Sequence, residues 1–199
     1  MKLTSRIENK DHMDSLKKLL TSDNNLASMP TLISAYQETL VDLQLDLWQR
    51  IGDGMSKEFG NLEKESIVEQ SKQERYSGVK NYVENKRNSM YCKIKVQLNG
   101  YDDVYLIVEQ EHYMYFGVYC KNGKENLRYE EIMSKTRKIP HTEAWGDYGV
   151  SAYAQPEINF KHLSSDNLAY LSKQENRQEY ADCIVNGLRK FVDVLECDE

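Results

Sequence analysis

The 199-residue sequence predicts an α+β fold, a three-stranded antiparallel meander at about residues 90–120 packed against long N- and C-terminal amphipathic helices. Three observations lead there. Apolar residues recur at steps of three or four before residue 60 and after residue 164, but at steps of two in the middle. Helical and strand-like segments are segregated along the chain, which argues against a doubly wound parallel sheet. Asn99-Gly100 joins two of the strand-like runs, and both residue types tolerate the positive φ that a tight hairpin needs.

Residues 11–21 read as a short helix with Met13, Leu16, Leu19 and Leu20 on one side, broken by Ser22-Asp23-Asn24-Asn25. Pro30 suits the first turn of the next helix, where its missing N–H costs nothing. Ile33, Tyr36, Leu40, Leu43, Leu47, Ile51 and Met55 then form an apolar stripe, with Gly52 and Gly54 expected to end or kink it and Phe59-Gly60 to close it. Residues 62–87 read as one or two solvent-facing helices. In residues 90–98, Met90, Cys92, Ile94, Val96 and Leu98 alternate with Tyr91, Lys93, Lys95 and Gln97, the pattern of a half-buried strand. Residues 104–110 and 113–120 supply the second and third strands. A short helix follows at Arg128–Arg137, ended by Ile139-Pro140. Residues 141–160 read as a loop with one or two short strands, best placed at 157–160 (EINF). Ser164–Leu171 starts a helix, Ser172 and Glu175 have capping-box spacing, and Tyr180, Ile184, Leu188, Val192 and Leu195 mark one face of a long final helix. The helical part spans 1–70 and the sheet with its C-terminal helices 71–199, in one continuous domain.

Composition narrows the function classes. No run approaches the ~18 apolar residues of a membrane span, so no membrane partner is expected. No secretory leader follows Met1, and Cys92, Cys120, Cys183 and Cys197 show neither C-x-x-C nor finger spacing, so the reading is a cytoplasmic protein with free thiols and no metal site. Phosphate-cradling glycine loops, paired metal-binding histidines and nucleophile elbows are missing from the sequence. Asp102, Asp103, Glu109 and Glu111 near the hairpin are hard-cation ligand types, yet they read most simply as solvated charges.

Charge and aromatics are unevenly placed. The net charge is −6, while residues 72–95 carry +5 and residues 121–138 carry +3, leaving −14 elsewhere. Eleven of the fourteen tyrosines lie between residues 76 and 153, around the basic stretches. A β-face of cations and aromatics can bind phosphates and stack on bases, so Tyr91, Lys93, Lys95, Lys86 and Arg87 are candidates for contact with DNA or RNA. His141, Trp145 and Asp147 form a second candidate, a loop site with enzyme-like residue types. A third reading is an acidic protein-interaction or inhibitor protein of a phage or bacterial conflict system, engaging a protein partner through acids such as Glu109 and Glu111. Oligomeric state is left open by these patterns.

Five segments carry a resemblance. They are AYQETLVDLQLDLWQRI, LIVEQEHYMYFGVYC, the Trp-centred HTEAWGDYGV, EINF and CIVNGLRKFVDVL. Their order resembles the region C-terminal to the nuclease core of prokaryotic PD-(D/E)XK nuclease superfamily proteins, involved in defence or mobile elements. The resemblance implies a non-catalytic accessory module that binds nucleic acid or a partner. The acids and the Glu-x-Lys lysine that define the superfamily are not found: Glu109-Gln110-Glu111 has no lysine, and Glu84-Asn85-Lys86 falls in a helical stretch. No catalytic residue is therefore carried over, and no cofactor is expected; Mg²⁺ would enter only with a nuclease core in a longer protein.

Overall fold

Helix α1 (Asn25–Phe59) runs well past both of its expected break points. The structure is a computed structural model and describes residues 13–15, 17–22, 25–85, 92–136, 138–140, 142–144 and 146–197. Residues 13–15 and 17–21 are helical, as expected. The Asn25 backbone N–H and side-chain amide donate to the Ser22 and Leu19 carbonyls, which closes the turn and starts α1 there. Pro30 thus lies inside the helix and not in its first turn, and its missing N–H removes one ladder bond. Gly52 and Gly54 do not break α1 either. A Cβ on Gly52 would sit 2.8 Å from Val68, and one on Gly54 would sit 2.9 Å from Val185. These glycines give room to neighbouring side chains, and the helix ends at Phe59 before Gly60, at φ +97°, where Phe59-Gly60 is expected to close it.

The chain forms two compact units, Met1–Leu40 and Val41–Glu199. In the first, Ile33 and Tyr36 are exposed, contrary to the buried stripe expected of them. In the second, Val41, Leu47, Trp48, Ile51 and Met55 of α1 are buried in the main core.

Residues 62–87, read from the sequence as one or two solvent-facing helices, are partly buried where described. They contain a 3-10 turn (Ile67–Glu69) and helix α2 (Lys72–Glu84), started by a capping box between Ser71 and Glu74. Val79 and Tyr82 of α2 are fully buried, because this polar helix still turns two apolar positions to the core.

Strands β1 (Cys92–Gln97), β2 (Val104–Gln110) and β3 (Met114–Cys120) make the expected antiparallel meander. A fourth strand, β4 (Tyr148–Tyr153), extends the sheet in the order β1-β2-β3-β4. It lies in the stretch read mainly as loop, while residues 157–160 are not a strand. Ile158 and Phe160 are buried without joining the ladder, apart from a Phe160 N–H bond to the His112 carbonyl. Glycine hid β4 from pattern reading. A Cβ on Gly149 would lie 2.7 Å from Ile132, so close packing requires a weak strand former there.

Helix α3 (Tyr129–Thr136) matches expectation closely. Helix α4 (Ser165–Ser172) is capped by Ser164 paired with Asn167. Ser172 does not cap the next helix; it is the last residue of α4, and its hydroxyl donates to the Ala169 carbonyl. Helix α5 (Gln174–Glu196) buries Tyr180, Ile184, Leu188, Val192 and Leu195, the stripe expected of it, and lies against β3. Among the described residues no helix is long and apolar enough to cross a membrane.

Candidate interaction site

Strand alternation sends Cys92, Ile94, Val96, Val108, Phe116 and Val118 into the main core and leaves the other face of the sheet to a different set of residues. Register arranges that outer face in three rows. Lys93, Glu109, Tyr115 and Tyr153 form one, Lys95, Ile107, Gly117 and Ser151 the next, and Gln97, Tyr105, Tyr119 and Tyr148 the third. The middle row is small at its centre. A Cβ on Gly117 would lie 2.2 Å from the Val150 carbonyl oxygen, so only glycine fits under β4's approach.

Large rings of the outer rows pack on one another, and Tyr115 and Tyr148 meet across this gap. Tyr115 and Tyr148 pack edge-to-face with centroids 5.8 Å apart, and Tyr119 and Tyr148 do the same at 5.8 Å. Tyr105 continues the chain through Tyr119 at 6.4 Å, and Tyr153 and Tyr113 continue it from Tyr115 at 6.4 and 6.1 Å. Six tyrosines thus form one connected run. Each such pair contributes about 0.5–1.5 kcal/mol beyond area burial. Ile107, Tyr115 and Tyr148 become a second, smaller core.

The polar groups of this face are paired with one another. Glu109 Oε2 accepts hydrogen bonds from the Tyr115 and Tyr148 hydroxyls. Burial first, and the Glu109 carboxylate second, push the Tyr148 phenol far above its ordinary value, so it stays a donor. Lys95 Nζ lies 3.6 Å from the Tyr105 ring centroid and 3.1 Å from Glu65 Oε1, and Lys93 Nζ is 3.2 Å from Glu65 Oε2. The hydrogen bond from Lys95, with Lys93 beside it, holds the Glu65 carboxyl below the ordinary range in spite of some desolvation. Glu65 is delivered by the segment that covers the β1 edge. Leu62 bridges Val96, the Glu63 N–H donates to the Lys95 carbonyl at 2.7 Å, and the Lys95 N–H donates to Ser66 Oγ at 3.0 Å.

Among the residues expected to touch nucleic acid, Lys93 and Lys95 share this face, while Tyr91, Lys86 and Arg87 lie outside the described residues, as do His141 and Trp145 of the loop site. Asp147 is described and exposed. Its carbonyl accepts the Cys120 N–H, and its carboxylate, after burial, helps raise the Tyr119 phenol. The four hairpin acids do not converge on a cation site. Asp103 pairs with Lys121 at 3.1 Å, Glu109 serves the tyrosines, and the Glu111 carbonyl accepts from Tyr82. Among the described residues no group of three or more His, Cys, Asp or Glu side chains is placed to hold a metal ion.

Pattern reading missed Glu65, whose partners lie about thirty residues away, and Lys161. Lys161 is almost wholly buried and donates to the Tyr82 and Asn85 carbonyls at 2.8 and 3.0 Å, capping the C-terminus of α2. Burial lowers its ammonium pKa and pushes the nearby Cys92 thiol up to about 12. A cleft of about 900 Å³ also opens between β4 and α5, floored by Phe116 and Phe191 and rimmed by Cys183 and Lys190.

The helical unit before Val41 contrasts with all of this. Nine large apolar side chains are exposed among the described residues, and six belong to it: Met13, Leu19, Leu26, Leu32, Ile33 and Tyr36. The exposed fractions run from 48% for Met13 to 59% for Leu19, so each keeps about half its surface in water. Single exposed apolar residues need no explanation, but a concentration of them marks an interaction surface.

Fold and site together define an α+β protein with a self-paired outer sheet face and an exposed apolar helical segment. Comparison with protein-family models, with curated proteins and with solved structures finds no match.

Proposed function

We propose that this chain is a non-catalytic partner-binding module whose partner is a protein. One observation carries the reading: among the described residues, six of the nine exposed large apolar side chains fall between residues 13 and 36. Apolar surface left in water at roughly 25 cal/mol per Å² is a standing driving force for association. The accessory role implied by the PD-(D/E)XK resemblance is of the same kind. The test is affinity capture with the wild type and with Ile33→Glu, both checked by circular dichroism. A protein retained by the wild type and lost from an equally folded variant supports the reading; equal retention overturns it.

A second reading, contact with DNA or RNA through Lys93 and Lys95, has the Lys95–Tyr105 stack in its favour. A phosphate would first have to displace Glu65 from both lysines. Binding of single-stranded DNA at low salt that disappears in Lys93→Glu/Lys95→Glu would support it; no binding at low salt would remove it.

A further inference from the structure

We infer that the cleft between β4 and α5 binds a small organic ammonium with an apolar body, of the aromatic amine class. The inference goes beyond the protein-binding reading and shares no residue with it, since the cleft lies wholly in the Val41–Glu199 unit.

The helix wall of the cleft follows from helical spacing. Cys183, Gly187 and Lys190 stand at steps of four and three on one side of α5, while Ile184, Leu188 and Val192 are buried in the core. A Cβ on Gly187 would lie 2.3 Å from the Phe116 ring, so only glycine lets α5 come this close. The same glycine leaves the wall hollow between Cys183 and Lys190. The opposite wall is β4 with residues 139–143. The Glu143 N–H donates to the Ser151 carbonyl at 2.9 Å, and the Ser151 N–H donates to the Glu143 carbonyl at 2.8 Å, which fixes Glu143 beside the strand. Phe116 and Phe191 pack with ring centroids 5.8 Å apart, and Tyr115 and Tyr153 add two more rings to the lining. The volume of about 900 Å³ is that of a small-molecule site, far larger than the voids of a packed interior.

Pairing and sign select the ligand. On the outer sheet face Lys93 and Lys95 share Glu65, but the charged groups of the cleft are left over. Among the described residues, the Glu143 and Lys190 side chains have no hydrogen-bond or ion-pair partner, and Glu157 accepts only from the Gln155 amide, at 3.4 Å. Arg189, next to Lys190, reaches both Glu58 and Asp193. The Tyr180 hydroxyl is buried and likewise has no partner among the described residues. Burial raises its phenol pKa, and the neighbouring Cys183, Tyr170 and Glu157 add to this, so the hydroxyl stands close behind two residues of the cleft wall. Two lining carboxylates against one ammonium draw in a cation and repel an anion. Aromatic rings favour a cation for the same electrostatic reason, and an apolar body displaces water from Phe116 and Phe191.

The chain carries its own footprint for a test. Cys183 is exposed in the cleft and Cys197 is exposed outside it, whereas Cys92 and Cys120 are buried, with thiols pushed up to about 12 and about 11. Iodoacetamide alkylation of the full chain at neutral pH, read by peptide mass spectrometry, thus compares Cys183 with an internal control. Phenethylamine at up to about 10 mM should slow alkylation of Cys183 at least threefold and leave Cys197 unchanged. Phenylpropionate, similar in body and opposite in charge, should need at least a tenfold higher concentration for the same protection. Glu143→Gln/Glu157→Gln, with an unchanged circular dichroism spectrum, should lose most of the protection by the amine, and Lys190→Glu should at least double the apparent affinity. The inference is overturned by no protection from the amine, by equal protection of Cys183 and Cys197, or by equal protection from the carboxylate. Protection that survives Glu143→Gln/Glu157→Gln, or an affinity that Lys190→Glu leaves unchanged or lowers, overturns it as well.

Discussion

The outer sheet face and the helical segment before Val41 are both rich in side chains with something to offer a partner, and they dispose of them differently. On the sheet, each cation has an acid, each central ring has another ring at its edge, and Glu109 takes two phenol protons. In the helical segment, apolar side chains keep about half their area in water. The first region pairs its groups with one another; the second leaves apolar side chains partly in water. The comparison teaches that residue chemistry marks a surface as capable of binding, while internal pairing decides whether that capacity is still free.

If this contrast is right, changes on the sheet should alter stability and changes in the segment should alter association. The largest effect is expected from Gly117→Val, whose side chain has no room against the Val150 carbonyl. It should cost about 3 kcal/mol or more, read as a lost or sharply lowered urea midpoint. Tyr148→Phe removes one donor from Glu109 and should cost about 1.5–2 kcal/mol with no change in oligomeric state. An unaltered urea midpoint would show that the pairing of this face does not stabilise the fold.

Glu65→Gln should cost less than about 1 kcal/mol, since the carboxylate is half exposed and its ion pairs are screened. Its sign with pH is set by the depressed carboxyl pKa of the folded state. The Glu65 contribution is present above the ordinary value of 4.5 and is lost as pH falls through the lower folded value. Wild type and Glu65→Gln should differ in melting temperature at neutral pH and converge in acid. Freeing two lysines should also raise low-salt affinity for single-stranded DNA, which sharpens the choice between the two proposed partners. The smallest stability change is expected from Ile33→Glu in the monomer, near zero, because the side chain already faces water. A loss of several degrees in dilute solution would show that Ile33 packs within the monomer and would erase the contrast.

Much of the fold was legible because it is written in local periods. The alternation at 92–97 gave β1, Asn99-Gly100 gave the hairpin, and the Tyr180–Leu195 stripe gave the buried face of α5. The errors share a cause. Pro30, Gly52, Gly54 and Ser172 were read by local conformational preference, and each is overridden by contacts with other segments or by the continuing helix. β4 was obscured because Gly149 and Ser151 weaken its strand signature while packing demands their small size.

By itself the sequence determined the three-stranded meander, the helices before and after it, which alternate residues share a sheet face, and the helical stripe of α1. All of these follow from the fixed geometry of backbone helices and strands. The tertiary structure alone decided that Glu65 pairs with Lys93 and Lys95, that Glu109 sits among tyrosines, and that the α1 stripe is buried from Leu47 onward but exposed at Ile33 and Tyr36. Whether a face is covered depends on groups brought from far along the chain, and a local period carries no information about them.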